Sequence, residues 1–435
     1  MGEGDGVSED QTVDHGFAGW TSRQKLVLAL CCIAVVLDGF DTQVIGFAAP
    51  ALLADWGVTK ADLAPALAMG LIGMTVGAAV AGWLGDRLGR KIVIVGSVLV
   101  FGALTAATAM VSNVIELAAL RFLAGLGLGG ALPNVAALVA EFAPARLRSL
   151  AVSITIVCVP VGGVIGGLFA APLLPRVGWH WFFLTAGALP VLVGLVLALL
   201  LPESPQFLEK RRGVRLNDRT DTDGPVAGLL PRSTAAMCRD AVRAHPHLVS
   251  DTIALWAAFF VALFCNYLYF NWLPIMLSEV DLGVSQSSLG LLFYNLGGVV
   301  SGVGVATQIA RFGSRRPMIG LATLGMISAL IPILFPLGGL AHAGWLLPFL
   351  FAQGFCVAGL QALLFALAVN IFPVEIRATG IGSAGSVGRI GGVIGSGIGA
   401  VLLGAFGAHG FFFAIMISMV VAAVAILVIR RHVTA

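Results

Sequence analysis

Charge is scarce in this sequence. Asp, Glu, Lys and Arg make up 11% of the 435 residues, against about 25% in a soluble domain. That scarcity excludes a disordered chain and a nucleic-acid binder. Apolar residues reach 58%, above the roughly 45–50% of soluble proteins, so a soluble enzyme is excluded too. Cysteine is sparse as well: Cys31, Cys32, Cys158, Cys238, Cys265 and Cys356. Five of the six fall in apolar runs, and no spacing suits a zinc site, a redox pair or a disulfide framework. They read as small packing residues. The seven histidines all fall in loops, tails or helix ends, which argues against a histidine proton relay deep in a membrane. No metal cluster or nucleophile motif is present. The run Gly125-Leu-Gly127-Leu-Gly129 superficially suggests a dinucleotide loop, but it lies inside an apolar helix rather than after a strand, so helix packing explains it better.

What is abundant is long apolar sequence, with a mean hydropathy of +0.98. A membrane helix needs roughly 20 residues, and twelve need about 240–290. Twelve apolar segments are predicted, near 25–50, 62–83, 92–111, 114–139, 149–172, 180–201, 252–277, 287–309, 317–338, 345–370, 379–404 and 409–429. The 56 glycines lie inside these runs, as is common in membrane helices. Residues 1–22 are acidic (Glu3, Asp5, Glu9, Asp10, Asp14) and lack the basic start of a cleavable signal peptide, so a disordered tail is expected there. Residues 202–250 are polar and read as a linker between two six-helix halves, 23–201 and 251–435.

Basic residues set the orientation. With the N-terminus inside, 21 of the 25 Lys and Arg are cytoplasmic. Lys60 and Arg176 fall outside, and Arg121 and Arg389 fall within membrane segments. Both ends are therefore expected in the cytoplasm. The halves also resemble each other. Val161-Gly-Gly-Val-Ile-Gly166 recurs 229 residues later as Ile390-Gly-Gly-Val-Ile-Gly395, and Pro144 and Arg148 recur at Pro373 and Arg377. Two related halves in one orientation are a known transporter construction, with the substrate site between them at mid-membrane.

The loop Gly82-Trp-Leu-Gly-Asp86-Arg87-Leu-Gly89-Arg90-Lys91 resembles the signature between helices two and three of the major facilitator superfamily. Leu37-Asp38-Gly39-Phe40-Asp41-Thr42 lies in the first segment, and the fourth carries Arg121 and the glycine run ending Pro133-Asn134, followed by Glu141 and Pro144. With Pro202-Glu203-Ser204-Pro205 after the sixth, the chain is similar to the aromatic acid:proton symporter branch, whose members import benzoate-type acids, hydroxybenzoates and protocatechuate. The resemblance covers nearly the whole chain from about Trp20. It departs at Ala310, where the second signature loop often keeps an acid, so gating there would rest on Arg311, Arg315 and Arg316.

An ionisable residue inside a membrane helix is costly and is a functional candidate by default. Asp38 and Asp41 share a helix face and are candidates for proton coupling, against a structural capping or pairing role. Arg121 enters near the depth of Asp41, so a salt bridge that opens on loading competes with a permanent structural pair. Arg389 sits among glycines in Ser386-Val-Gly388-Arg389-Ile-Gly391-Gly392. A planar guanidinium matches a carboxylate bidentately, so Arg389 is the favoured substrate anchor. Ring recognition would fall to Asn266, Tyr267, Phe270 and Asn271 on helix seven, Tyr294 and Asn295 on helix eight, and Gln361 on helix ten, although lipid-facing and interhelical roles are commoner for such residues. By the resemblance, Gly82, Asp86, Arg87, Gly89, Arg90 and Lys91, with Glu141, Arg146, Arg148, Arg311, Arg315 and Arg377, form a cytoplasmic gating network. Holding loops inside is the simpler role.

These readings converge on an all-α membrane protein of twelve transmembrane helices in two halves. It is expected to be a monomeric, inner-membrane, proton-coupled importer of an aromatic carboxylate that needs no cofactor. A carrier of another organic anion or of a sugar-like or shikimate-like metabolite is the nearest alternative, and a non-transporting membrane receptor is the alternative from another class.

Overall fold

The computed structural model describes residues 20–144, 147–209, 211, 243, 246–280, 282–335, 344–373 and 376–432, without the side chains of 149–150, 305–312 and 377–378. The expected tail up to residue 19 and most of the 202–250 linker lie outside the described residues. Among the described residues every regular element is helical. In the N-terminal half these are α1 (Ser22–Trp56), α2 (Lys60–Leu88), α3 (Arg90–Ala107), a short 3-10 turn (Thr108–Met110) and α4 (Val114–Phe142). A continuous run, Arg148–Leu200, then breaks at Gly178 (φ 76°, ψ 177°) into α5 (148–177) and α6 (179–200). The C-terminal half holds α7 (Leu248–Ser278), α8 (Val284–Phe312), α9 (Arg315–Leu334) and α10 (Leu346–Ile371). A second run, Arg377–Val428, breaks at Gly407 (φ 59°, ψ −151°) into α11 (377–406) and α12 (408–428). Nine helical runs among the described residues are long and apolar enough to cross a membrane.

Gly178 and Gly407 stand 229 residues apart, the spacing of the sequence repeat. Both need positive φ, which a side chain would strain, so the same chain reversal occurs at matching places in the two halves. The packing repeats as well. In the N-terminal half α1 packs on α5, α2 on α4, and α3 on α4 and α6. In the C-terminal half α7 packs on α11, α8 on α10, and α9 on α12. Small residues permit these close approaches. A Cβ on Gly125 would strike the carbonyl oxygen of Gly70 in α2, so this glycine of the Gly-rich run is a helix-packing residue.

The halves meet where α5 faces α8, α2 faces α11 and α1 faces α7. Lys60, at the start of α2, forms an ion pair with Glu279, just after α7. At that end one continuous apolar core spans both halves, from Phe47 and Phe182 to Tyr269 and Trp272. At the opposite end, the one carrying Asp86 and Arg90, the N-terminal half keeps a separate core around Leu30, Val98, Phe101 and Val135. The apolar core is thus shared by the halves at one end and divided at the other.

Candidate functional site

The centre of the bundle is organised by two carboxylates. Asp38 and Asp41 sit one turn apart on α1, each 1% exposed. The Thr105 hydroxyl, from α3, donates to Asp41 Oδ1. The same hydroxyl oxygen accepts from Arg121 Nη2 at 2.8 Å, and that nitrogen also reaches Thr108 Oγ1 at 3.1 Å. Thr105 therefore stands between acid and base. Arg121 Nη1 remains 3.7 Å from Asp41 Oδ2, an electrostatic contact longer than a hydrogen bond. Asp41 Oδ2, Asp38 Oδ1 and Arg121 Nε are buried without a hydrogen-bond partner among the described residues. Phe183 lies under the Arg121 guanidinium, its ring centre 5.5 Å from Cζ. An apolar interior makes such charges expensive and their pairing decisive.

Beside this cluster lies a narrow cavity of about 30 Å³. Asp41, Thr42 and Ile45 come from α1, and Leu67, Leu71 and Met74 from α2. Helix α4 adds Arg121 and Leu128, and α7 crosses from the other half with Tyr267 and Asn271. The wall is mostly apolar, with acid and guanidinium at one pole and an aromatic hydroxyl and a carboxamide from α7 elsewhere. Among the described residues the Tyr267 hydroxyl meets only the sulfur of Met74, at 3.7 Å. Asn271 Nδ2 donates to Ser396 Oγ on α11 at 2.8 Å.

Arg389 is half-buried on α11 and forms no ion pair within 4 Å among the described residues. It is not among the residues that line the cavity.

The other ring-recognition candidates go elsewhere. The Tyr294 hydroxyl donates to Asn266 Oδ1 at 2.8 Å, and the Tyr294 ring stacks on Tyr269 with centres 4.2 Å apart. Both residues are thereby engaged inside the C-terminal half. Phe270 packs edge-on against Tyr267 and Tyr294. Gln361 is half-buried on α10, with no side-chain hydrogen bond among the described residues. Asn295 forms a reciprocal amide pair with Gln43 of α1, at 2.7 and 3.2 Å, and so ties the halves together. None of these five lines the cavity. Helix α7 has buried neighbours on several sides, so its polar residues are divided among different partners.

At the divided end, Arg90 Nε donates to Glu141 at 2.6 Å, and Arg90 Nη2 lies 3.6 Å from Asp86. Glu141 also accepts from the Ser204 hydroxyl. Glu203 accepts from the backbone N–H groups of Lys91, at 3.1 Å, and Ser204, at 2.9 Å. Gly89 has φ 101°, and a Cβ there would run into the Glu203 carboxylate. Arg87 stacks over Trp83 at 4.0 Å. Gly82 faces open space and Arg148 is exposed. Arg315 donates to the Leu427 carbonyl at 3.5 Å. Arg146 and the side chains of Arg311 and Arg377 lie outside the described residues. Thr105 and Gln43 escaped the sequence reading, and Glu203 and Ser204 entered it only within a family motif, with no role of their own. Hydroxyls and amides within apolar helices were the available signal for the first two.

A cavity walled by two repeated helical halves, with buried charges on its wall, fits a membrane transporter rather than an enzyme. The family model for the Major Facilitator Superfamily matches residues 31–311 and 308–435, and the chain belongs to that superfamily. It is 36% identical to the 4-hydroxybenzoate transporter PcaK of Pseudomonas aeruginosa, over 88% of this chain and 86% of that protein. It is 35% identical to the gallate transporter of Pseudomonas putida, over 87% of this chain and 86% of that one. The aromatic acid branch expected from the motifs is where these relatives fall. Among solved structures, the D-xylose-proton symporter shares the fold, with a TM-score of 0.70 at 19% identity, over 93% of this chain and 97% of that one.

Proposed function

We propose that this protein imports an aromatic carboxylic acid by proton symport through alternating access. The observation that carries the reading is the Asp41–Thr105–Arg121 constellation on the wall of an apolar cavity between the halves. An apolar slot with a few polar groups suits a flat ring acid, and relatives named for 4-hydroxybenzoate and gallate support the substrate class. Twelve helices cross the inner membrane, with both ends in the cytoplasm. Lys60 and Glu279 are then extracellular, and the divided end opens inward.

In this reading Arg389 anchors the carboxylate, while Asp41 and Asp38 take protons from outside. Arg121 holds the Asp41 site in place. Loading neutralises the buried carboxylates and pairs the free guanidinium. The halves then rock without carrying unpaired charge through an apolar interior, which would cost several kcal/mol. The Asp86–Arg90–Glu141–Glu203 network braces the cytoplasmic ends of α2, α3 and α4 as the cleft opens and closes. The proton gradient drives the cycle, no cofactor takes part, and one chain suffices.

The test is uptake in a transport-deficient host, with labelled benzoate, 4-hydroxybenzoate, protocatechuate, vanillate, gentisate and shikimate offered with and without a protonophore. Protonophore-sensitive accumulation of a ring acid is expected. Accumulation that a protonophore leaves untouched refutes proton coupling. Uptake of none of the ring acids by protein present in the membrane refutes the substrate class.

A further inference from the structure

A single hydroxyl interrupts the contact between the buried acid and the buried base. Only good hydrogen-bonded geometry repays the burial of two opposite charges in an apolar interior, yet Asp41 and Arg121 form no direct hydrogen bond. The Thr105 hydroxyl donates to Asp41 Oδ1 and accepts from Arg121 Nη2 at 2.8 Å. Thr108 accepts from the same nitrogen at 3.1 Å. Arg121 Nη1 stops 3.7 Å from Asp41 Oδ2, and that oxygen has no hydrogen-bond partner among the described residues.

The backbone behind the hydroxyl has no room to retreat. Thr105 lies in the last turn of α3 and Thr108 opens the 3-10 turn that follows, so hydroxyls three residues apart face the same side. Helix α6 presses on this stretch: a Cβ on Gly187 would strike the Ala106 amide nitrogen and the Gly102 carbonyl oxygen. The charged and titratable groups around Asp41 are Asp38 on its own helix, Arg121 on α4, and Tyr267, which lines the same cavity from α7. Helix α2 lines that cavity with apolar residues, α5 meets α1 through Gly39 and Gly162, and Arg389 of α11 does not line it. Arg121 is thus the one cation at hand to pair with Asp41 among the described residues, and Thr105 stands in its way.

Resting on the reading of this protein as a proton-coupled importer, we propose that Thr105 is a spacer that stops Asp41 and Arg121 from closing into a direct ion pair and so keeps Asp41 Oδ2 open to the coupled proton. A carboxylate locked in a guanidinium fork takes a proton only when the fork breaks. One held apart by a hydroxyl takes it on Oδ2 while its Oδ1 keeps the Thr105 bond. Thr105 carries no proton of the cycle itself, which makes it a positioning residue. Thr105→Val deletes the hydroxyl with little change of shape. A shift of about 0.8 Å then brings Arg121 Nη1 within hydrogen-bond distance of Asp41 Oδ2. The sign separates two roles. Were Thr105 only a hydrogen-bond donor to the carboxylate, its loss would make Asp41 easier to protonate; loss of a spacer makes it harder.

The test is an infrared pH titration of the purified protein. It follows the carbonyl stretch of protonated Asp41, identified by its loss in Asp41→Asn. Half-protonation in Thr105→Val is expected to need about tenfold more protons than in wild type, the excess of a charge-assisted bond over a neutral one. Thr105→Ser keeps the hydroxyl and stays near wild type. Uptake of labelled 4-hydroxybenzoate into proteoliposomes is followed in parallel, and its external-pH profile moves in the same sense as the band. An unchanged midpoint in Thr105→Val, a shift the other way, or a serine variant that behaves like valine overturns the spacer. So does a wild type in which no Asp41 band titrates. Should Thr105→Val fail to fold, the same titration of Thr105→Ala decides. The spectrum needs no substrate, so a wild type that takes up no ring acid refutes the import reading while the band still judges Thr105.

Discussion

Replacing Asp41 by Asn removes one of two buried carboxylates with almost no change of shape. The Thr105 hydroxyl, which donates to Asp41 Oδ1, can still donate to an amide oxygen. What disappears is the charge 3.7 Å from Arg121 Nη1 and a site for a proton. If Asp38 and Asp41 each carry one proton with a monoanionic acid, one net positive charge enters per cycle. A membrane potential of about 100 mV then supplies ~2.3 kcal/mol, which corresponds to about fortyfold accumulation. With Asn at 41 one proton at most accompanies the anion, the cycle is electroneutral, and the potential drives nothing. The assay is uptake into proteoliposomes under a potassium diffusion potential with equal pH on both sides. Wild type is expected to accumulate substrate tens of fold, and Asp41→Asn to stay near unity. Substrate-for-substrate exchange, which needs no net proton movement, remains measurable in the variant. Breaking a buried ion pair costs about 3–5 kcal/mol, so the amount of folded protein in the vesicles is measured alongside. Potential-driven accumulation by Asp41→Asn equal to wild type refutes the assignment of a coupled proton to Asp41.

Four further outcomes are expected. Arg389→Lys keeps a positive charge but loses the bidentate fork, so affinity for the acid falls about tenfold or more, read by direct binding to purified protein; unchanged affinity rules out a bidentate anchor. Asp86→Asn, beside the Arg90–Glu141 pair, slows turnover more than it weakens binding, read as a fall in kcat with little change in KM. Gly125→Val drives a side chain into the Gly70 carbonyl and separates α2 from α4; its melting temperature in detergent falls well below that of wild type. Lys60→Gln removes a partly exposed inter-half ion pair worth up to ~1 kcal/mol, so the open population at that end rises a few-fold, read by the distance between spin labels across the two halves.

The sequence alone determined the architecture and the chemistry that had to be buried. Apolar runs separated by short polar breaks fix where helices form, because a backbone in lipid must satisfy its hydrogen bonds within the segment. The glycine-rich repeats marked the two halves, and the loop around Asp86 marked the family. Asp38, Asp41, Arg121 and Arg389 stood out because a charge in an apolar run is too costly to be incidental. What each of these meets was decided only by tertiary structure. Thr105 lies 64 residues from Asp41 and 16 from Arg121, and it becomes a wedge between them only when α1, α3 and α4 pack. Gln43 of α1 meets Asn295 of α8 across the two halves. Asn266 and Asn271 share one helix and one residue type, yet one bonds Tyr294 inside its own half and the other lines the cavity. Glu203 and Ser204 join the charged network around Arg90 and Glu141 because α6 ends beside the start of α3. A helix buried on several faces has no polar stripe to show which side looks into the cavity. That choice belongs to the neighbours it packs against, and they lie tens to hundreds of residues away along the chain.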